Sequence, residues 1–367
     1  MKLLVAVSPG EVRVAAVDGS GVVDYALWRP GRPDGVGDLY RGRITARQPA
    51  LGGAFVTLGS EDGFLPERDG GTATVGSILG LRVVRAAQGG KGVRLTADLT
   101  DAERASVGQG PIGLLQRGPH AVERLAALHP DAEITIDDAA LCAELRARFG
   151  ARLHLVAQAF DGDIAAQIAD LAAAEITLAG GARMAIHPTA AVTAIDLDLA
   201  SGITARGNKR NAHEAANRAA IPALARQIRL RNLGGGIVID LAGLSVKRRA
   251  ALAPSLATAL ADDPLAPRFL GFSALGLAEV LRPRVHPPLH ELLATPHAAG
   301  LAALRDAAAS VAADPATALA LIAAPAVIGA LQSDPIALAQ FTHRAGRALL
   351  LRADRNRAPR AWTLEPL

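Results

Sequence analysis

Ala225-Arg226-Gln227-Ile228-Arg229-Leu230-Arg231-Asn232-Leu233-Gly234-Gly235-Gly236-Ile237-Val238-Ile239-Asp240 changes character halfway along. Its first part ends a basic helix over Glu214–Arg229, which Pro222 is expected to interrupt. The glycine triplet breaks that helix, and Ile237-Val238-Ile239 is an apolar strand closed by an acid. Upstream, Val192-Thr193-Ala194-Ile195-Asp196 is a second apolar strand ending in an acid. A strand, a helix and a strand in this order predict an α/β fold over 181–292.

The two strand-end acids carry the strongest local chemistry. Acids closing neighbouring strands of an α/β sheet meet at its carboxyl edge, where ligands usually bind. Oxygen ligands of this kind suit Mg²⁺, which takes one or two carboxylates and keeps several waters. The alternative for Asp196 and Asp240 is a pair of turn or cap acids. Between them lie Arg206, Lys209, Arg210, Arg218, Arg226, Arg229 and Arg231. They read either as a phosphate-contacting surface or as a solvated helix face.

Toward the N-terminus the texture is all-β. Residues 1–36 predict a hairpin turning at Asp18-Gly19-Ser20-Gly21. Residues 37–96 hold short strands between glycines and prolines, the pattern of a small barrel. Phe55 and Phe64 stand on successive strands with glycines nearby, as stacking platforms or as core residues. Tyr40-Arg41-Gly42-Arg43 adds charge, and Gln88-Gly89-Gly90-Lys91-Gly92 presents one lysine on a glycine loop without the spacing of a P-loop. Residues 98–180 alternate short helices and strands, and 293–367 read as Ala-rich helices with a strand at Ala348–Arg352. Pro315–Ser333 reads as buried helices, and Thr295-Pro296-His297 as a linker into the tail.

Composition narrows the class. The chain has 367 residues, half of them hydrophobic, enough for two or three domains. Of 39 basic residues all but four are arginine, and the net charge is +4. Arginine forks suit phosphate, although a codon bias gives the same excess. Cys142 is the single cysteine, which excludes an intrachain disulfide or a four-cysteine zinc site. The N-terminus reads as no signal peptide and no stretch reads as a membrane span, so a cytoplasmic protein is expected.

Taken together, these segments resemble the ribonuclease E/G family. Gly37-Asp38-Leu39-Tyr40-Arg41-Gly42-Arg43-Ile44, Gly53-Ala54-Phe55-Val56, Gly63-Phe64-Leu65-Pro66 and Gly90-Lys91-Gly92-Val93-Arg94-Leu95-Thr96 are similar, in order, to its OB-fold RNA-binding domain. Thr193–Asp196 resembles the strand of its first catalytic aspartate, and Ala225–Asp240 the stretch bearing the second. Gly276–Arg284 resembles its closing motif, and Arg347–Asp354 part of its small terminal domain.

The resemblance implies an RNase H-like subdomain (1–36 plus 119–180) with an inserted OB-fold barrel (37–97). A remnant of a 5′-sensor region (98–118), a DNase I-like catalytic subdomain (181–292) and a small α/β C-terminal domain (298–367) complete the multi-domain α/β chain. It implies an endoribonuclease of single-stranded RNA in which two aspartates, here Asp196 and Asp240, hold Mg²⁺. The metal's hydroxide then leaves 5′-phosphate and 3′-hydroxyl ends. Phe55, Phe64 and Lys91 match the RNA-clamping positions. Tyr40, Arg41, Arg43, Arg117, Arg206, Arg226, Arg229, Arg282 and Arg284 stand as further RNA contacts.

Departures from the family pattern define an alternative, an RNA-binding relative weak or inactive in cleavage. The asparagine expected two residues past the first aspartate is Asp198, a third candidate catalytic acid. The acid expected three residues past the second is Gly243. A basic position is Ala274 and an acidic one Ala219. Arg117 alone matches the 5′-sensor, its threonine partner being Gly118. The paired zinc cysteines are missing, which excludes a zinc-linked dimer and leaves open a homodimer through the C-terminal domain. His286 and His290 are spaced for a metal on a helix, but Pro287-Pro288 argues against one.

Overall fold

The computed structural model describes every residue except 71, 72, 179, 180, 199–208 and 242, together with the side chains of 209–211. The chain falls into two units. One comprises Met1–Ala86, Gly92–Ala165 and His290–Leu367, the other Ala87–Lys91 and Ala166–Leu289.

The first unit opens with three antiparallel strands, Lys2–Ser8, Glu11–Asp18 and Gly21–Trp28, where the sequence predicts a single hairpin. The extra turn is at Pro9-Gly10, and Gly10 takes φ +77°. Glu133–Ile136 and Leu153–Leu155 extend this sheet by parallel pairing on the Lys2–Ser8 side. Alternation puts Leu3, Val5, Val12, Val14, Ile134 and Ile136 in a core covered by helices Ala121–Leu128 and Ala139–Phe149.

Five strands then close into an OB-like barrel. Leu39–Gln48 pairs with Ile78–Arg85 on one side and Gly53–Thr57 on the other, and Asp62–Pro66 and Val93–Thr96 complete the ring. Ile44, Val56, Leu65, Leu81, Val83 and Leu95 fill it. Gly42 allows the closure: a Cβ there would lie 2.7 Å from Val56 Cγ1 and 2.9 Å from Leu81 Cδ1.

The tail departs from the helical expectation. Leu319–Ala323, inside the stretch read as buried helix, is the central strand of a three-stranded sheet, with Leu350–Ala353 and Trp362–Pro366 as neighbours. A central strand buried on both faces is continuously apolar, so periodicity cannot separate it from a buried helix. Nor is Thr295-Pro296-His297 a linker. Thr295 caps the helix Pro296–Ala313, and His297 is buried with Nε2 2.8 Å from Asp334 Oδ2.

The second unit is a mixed six-stranded sheet in the order Glu175–Thr177, Arg183–Pro188, Val192–Asp198, Gly235–Leu241, Ala278–Arg282, Arg268–Phe272. Only Val192–Asp198 and Gly235–Leu241 run parallel, and the helix Lys209–Leu230 crosses between them. That helix is unbroken at Pro222, which sits on its exposed side. Ile221, Leu224 and Ile228 of the helix, with Leu256 and Leu260 of Ala253–Ala261, cover one face of the sheet. Ile195, Leu197, Ile239 and Leu241 point into that core, which leaves the alternate residues on the other face. Among the described residues no helix is long and apolar enough to cross a membrane.

Candidate active site

Strand register decides where the acids meet. Asp196 and Asp240 are direct partners in the one parallel pair of this sheet. Their Cα atoms are thus roughly 5 Å apart, the ordinary strand spacing. Both occupy the face opposite the helices, because Ile195, Leu197, Ile239 and Leu241 fill the buried positions on either side. Asp198 follows Asp196 on the same face, and both are exposed. The Asp196 carboxyl is pushed above the usual aspartate range by partial burial and by the charges of Asp198 and Asp240, while His187 opposes the shift. One row back along the sheet, His187 pairs with Ala194 and Glu279 with Val238.

Asp240 is held differently. Its Oδ1 accepts no hydrogen bond, yet it lies 2.6 Å from Arg249 Nη1 as an ion pair. Arg249 in turn donates from Nε to Leu244 O (3.0 Å) and from Nη1 to Gly276 O (2.9 Å). At the same edge His213 packs on Gly243, and a Cβ on Gly243 would overlap the imidazole. His213 Nδ1 is sealed from solvent and has no partner. Nothing in the sequence marks Arg249 or His213, because Arg249 meets Asp240, and His213 meets Gly243, through tertiary packing alone. Asp240 with Gly243 three residues on was the only local signal.

The arginines divide by role. Arg206 lies outside the described residues, as do the side chains of Lys209 and Arg210. Arg226 and Arg229 belong to the helix on the far side of the sheet from the acids, and Arg229 Nη1 donates to Asp262 O at 2.7 Å. Arg231 is buried and holds Ala173 O and Asp170 O. Arg282 is buried on Asp263 (2.7 Å) and Asn232 Oδ1 (2.8 Å). Arg284 donates to Gly234 O at 3.2 Å, just before the strand Gly235–Leu241 that carries Asp240 near its far end. Five residues of strand separate them, roughly 17 Å. Arg231 and Arg282 therefore clamp the fold, and none of these five cations converges on the carboxylates.

On the barrel, Phe55 and Phe64 are cross-strand partners with ring centroids 5.7 Å apart in a T-shaped pair. Phe55 is exposed and Phe64 half-buried, so neither ring belongs to the barrel core. A Cβ on Gly53 would sit 2.5 Å from the Phe64 ring, so this glycine gives the ring its place. Leu51, Gly52, Phe64, Pro66, Glu67, Arg68 and Arg94 line an open hollow there. The sequence reading missed Arg68 and Arg94; Arg94 stands beside Phe64 through the parallel pairing of their strands. Arg43 is exposed, whereas Tyr40 is a core residue and Arg41 is buried on Pro111 O and Val107 O. Lys91 is exposed, and Gly89 (φ +58°) and Gly90 (φ +70°) make the tight turn before it. The loop groups with the second unit, where Gln88 Nε2 donates to Val285 O at 3.3 Å.

Arg117 is tied down. Its Nη1 is 2.6 Å from Asp38 Oδ2, and Gly118 N donates to Asp38 Oδ1 at 2.7 Å. A Cβ on Gly118 would overlap Val36 O, so no threonine fits there without backbone movement. Among the described residues no three His, Cys, Asp or Glu side chains gather as a metal cage, and the short helix Leu289–Leu293 carries only His290 of the two histidines.

Known proteins resemble this chain in sequence. The profile of the Ribonuclease E/G family matches residues 133–285, the segment that contains both aspartate strands. Ribonuclease G of Escherichia coli K12 is 26% identical over 80% of this chain and 81% of its own length. Ribonuclease E of the same strain is 26% identical over 83% of this chain and 39% of its own length. A ribonuclease E of Synechocystis is 34% identical over 33% of this chain and 18% of its own. On these matches the chain is similar to the ribonuclease E/G family, and the family match lies over the segment that holds both aspartate strands.

Proposed function

We propose that this protein is an endoribonuclease that cuts single-stranded RNA with the help of a divalent cation held by Asp196 and Asp240. The observation that carries the reading is the register of the two aspartates on the parallel strands. The donor set fits Mg²⁺: two carboxylates on one face, a third two residues on, and room for water on exposed acids. The Asp196 carboxyl is pushed above its usual pKa by partial burial and by anionic crowding, and a cation would relieve the crowding. When bound, Mg²⁺ supplies a water of lowered pKa and a charge that offsets the phosphodiester oxygens. The ends expected are 5′-phosphate and 3′-hydroxyl.

The protein's own groups do the rest. Asp196 and Asp240 hold the cation, and Asp198 adds negative potential. Phe55 and Phe64 offer ring faces on which any base can stack, and Arg43, Arg68, Arg94 and Lys91 meet phosphates. With Asp38 holding Arg117 and no side chain admitted at 118, cleavage discriminates little between 5′-monophosphate and 5′-hydroxyl RNA.

In this reading 1–36 with 119–165 form an RNase H-like subdomain, supported by three antiparallel strands continued by two parallel ones, while the strand Glu175–Thr177, expected with it, belongs to the second unit. Residues 37–97 are the inserted RNA-binding barrel, 181–292 the DNase I-like catalytic part and 298–367 the terminal domain. The protein acts in the cytoplasm.

A second reading, an RNA binder that does not cut, draws on the ion pair that Arg249 makes with Asp240 and on the missing acid at Gly243. Cleavage of a labelled single-stranded RNA in Mg²⁺ or EDTA, by wild type and Asp240→Asn, separates the two. Metal-dependent cutting lost in the variant supports the nuclease. Binding without cutting by both proteins overturns it.

A further inference from the structure

We propose that Arg249 is a positioning residue for Asp240 and a fixed counter-charge that weakens the hold of the carboxylate pair on a divalent cation. The proposal rests on the nuclease reading above and assigns a residue to its site. A loose surface arginine pairing with an aspartate would mean little, but Arg249 is not loose. Its side chain is 14% exposed, against 49% for Asp240, so the cation is fixed and the anion opens to solvent. Two backbone carbonyls from different segments hold the guanidinium. Leu244 O lies four residues past Asp240, and Gly276 O comes from the turn before Ala278–Arg282. Gly276 takes φ +79°, and a Cβ there would press on Arg249 Cδ at 3.3 Å, so the packing around the guanidinium stem is close.

Two consequences follow. Oδ1 of Asp240 is committed to the guanidinium, which leaves Oδ2 as the oxygen that can meet a cation. The guanidinium also brings a positive charge to this edge. It offsets one of the three negative charges of Asp196, Asp198 and Asp240. A unit charge roughly 6 Å from a divalent ion in a water-like dielectric changes its affinity about tenfold.

The test is a Mn²⁺ titration followed by electron paramagnetic resonance, alongside cleavage kinetics, on the full-length protein. Arg249→Gln is expected to bind Mn²⁺ about tenfold more tightly while its kcat falls, because Asp240 loses its orientation. Arg249→Lys keeps the charge and is expected to keep the wild-type affinity. A merely structural arginine would weaken binding in both variants. Arg249→Met makes the same charge change should Gln fail to fold. Mn²⁺ that binds through Asp240 but with unchanged or weaker affinity in the charge-removing variants overturns this proposal and leaves the nuclease reading standing. Mn²⁺ binding that is absent, or that survives Asp240→Asn, overturns both.

Discussion

Asp198→Asn tests whether the third acid works with the other two. Asp198 lies on the exposed face of the strand, two residues beyond Asp196. The separation is about 7 Å, twice the rise per residue. Both side chains are solvated, so the effective dielectric is close to that of water. A divalent ion held by Asp196 and Asp240 then gains about 1.2 kcal/mol from Asp198 across about 7 Å. The amide should weaken Mn²⁺ binding about eightfold. The same change removes a like charge from Asp196, whose carboxyl should titrate at lower pH. The sign for stability follows. An aspartate raised by like charges costs the folded state at neutral pH, so the variant should be slightly more stable there. Magnetic resonance titrations of Mn²⁺ and of carboxyl ¹³C read the two effects separately. Unchanged or tighter Mn²⁺ binding, with Asp196 titrating as before, would refute the placement of Asp198 beside the cation.

Three further outcomes are expected. Gly243→Asp, which puts an acid where the family resemblance expects one, forces its Cβ into His213 on a backbone at φ +64° and should cost about 2 kcal/mol; thermal melts should show this cost partly relieved in the His213→Ala background, and additive costs would refute the clash. Burial holds the His297 imidazole below its usual pKa despite Asp334, so the unfolded chain takes up the proton first; stability should fall as pH drops below about 6.5, and urea melts of His297→Gln should show a shallower decline. Phe55→Ala removes an exposed ring and should weaken single-stranded RNA binding about tenfold, within the range for one stacked base; fluorescence anisotropy would show it, with the melting temperature unchanged.

The carboxylate pair was legible because its signal is local. An apolar run that ends in aspartate reads the same in sequence and in structure, and one connecting helix with the glycine break fixes the order of the elements. Convergence itself was not legible. It depends on the parallel register of Asp196 on Asp240, and a slip by one residue would have turned one of them into the core. The barrel was legible from its spaced turns and paired phenylalanines. The tail strand Leu319–Ala323 was not, since burial on both faces erases the alternation that marks a strand. Asp334 and His297 were likewise invisible to each other across the sequence.

Arginine misled most, for a physical reason. A guanidinium offers five donors in a plane, so one side chain can satisfy several backbone carbonyls that helix ends and turns leave bare. Arg41 serves Pro111 and Val107 in this way, Arg231 serves Ala173 and Asp170, and Arg282 serves Leu233 together with Asp263. Each is buried, and each lies in a stretch that sequence alone reads as RNA-binding. Arginine excess therefore measures carbonyl clamping as much as phosphate affinity in this chain. The cations open to a polyanion include Arg43, Arg68 and Arg94 on the barrel and Lys91 on its glycine turn. The salt dependence of RNA binding should follow those four, and charge removal at Arg41 or Arg282 should register as lost stability instead.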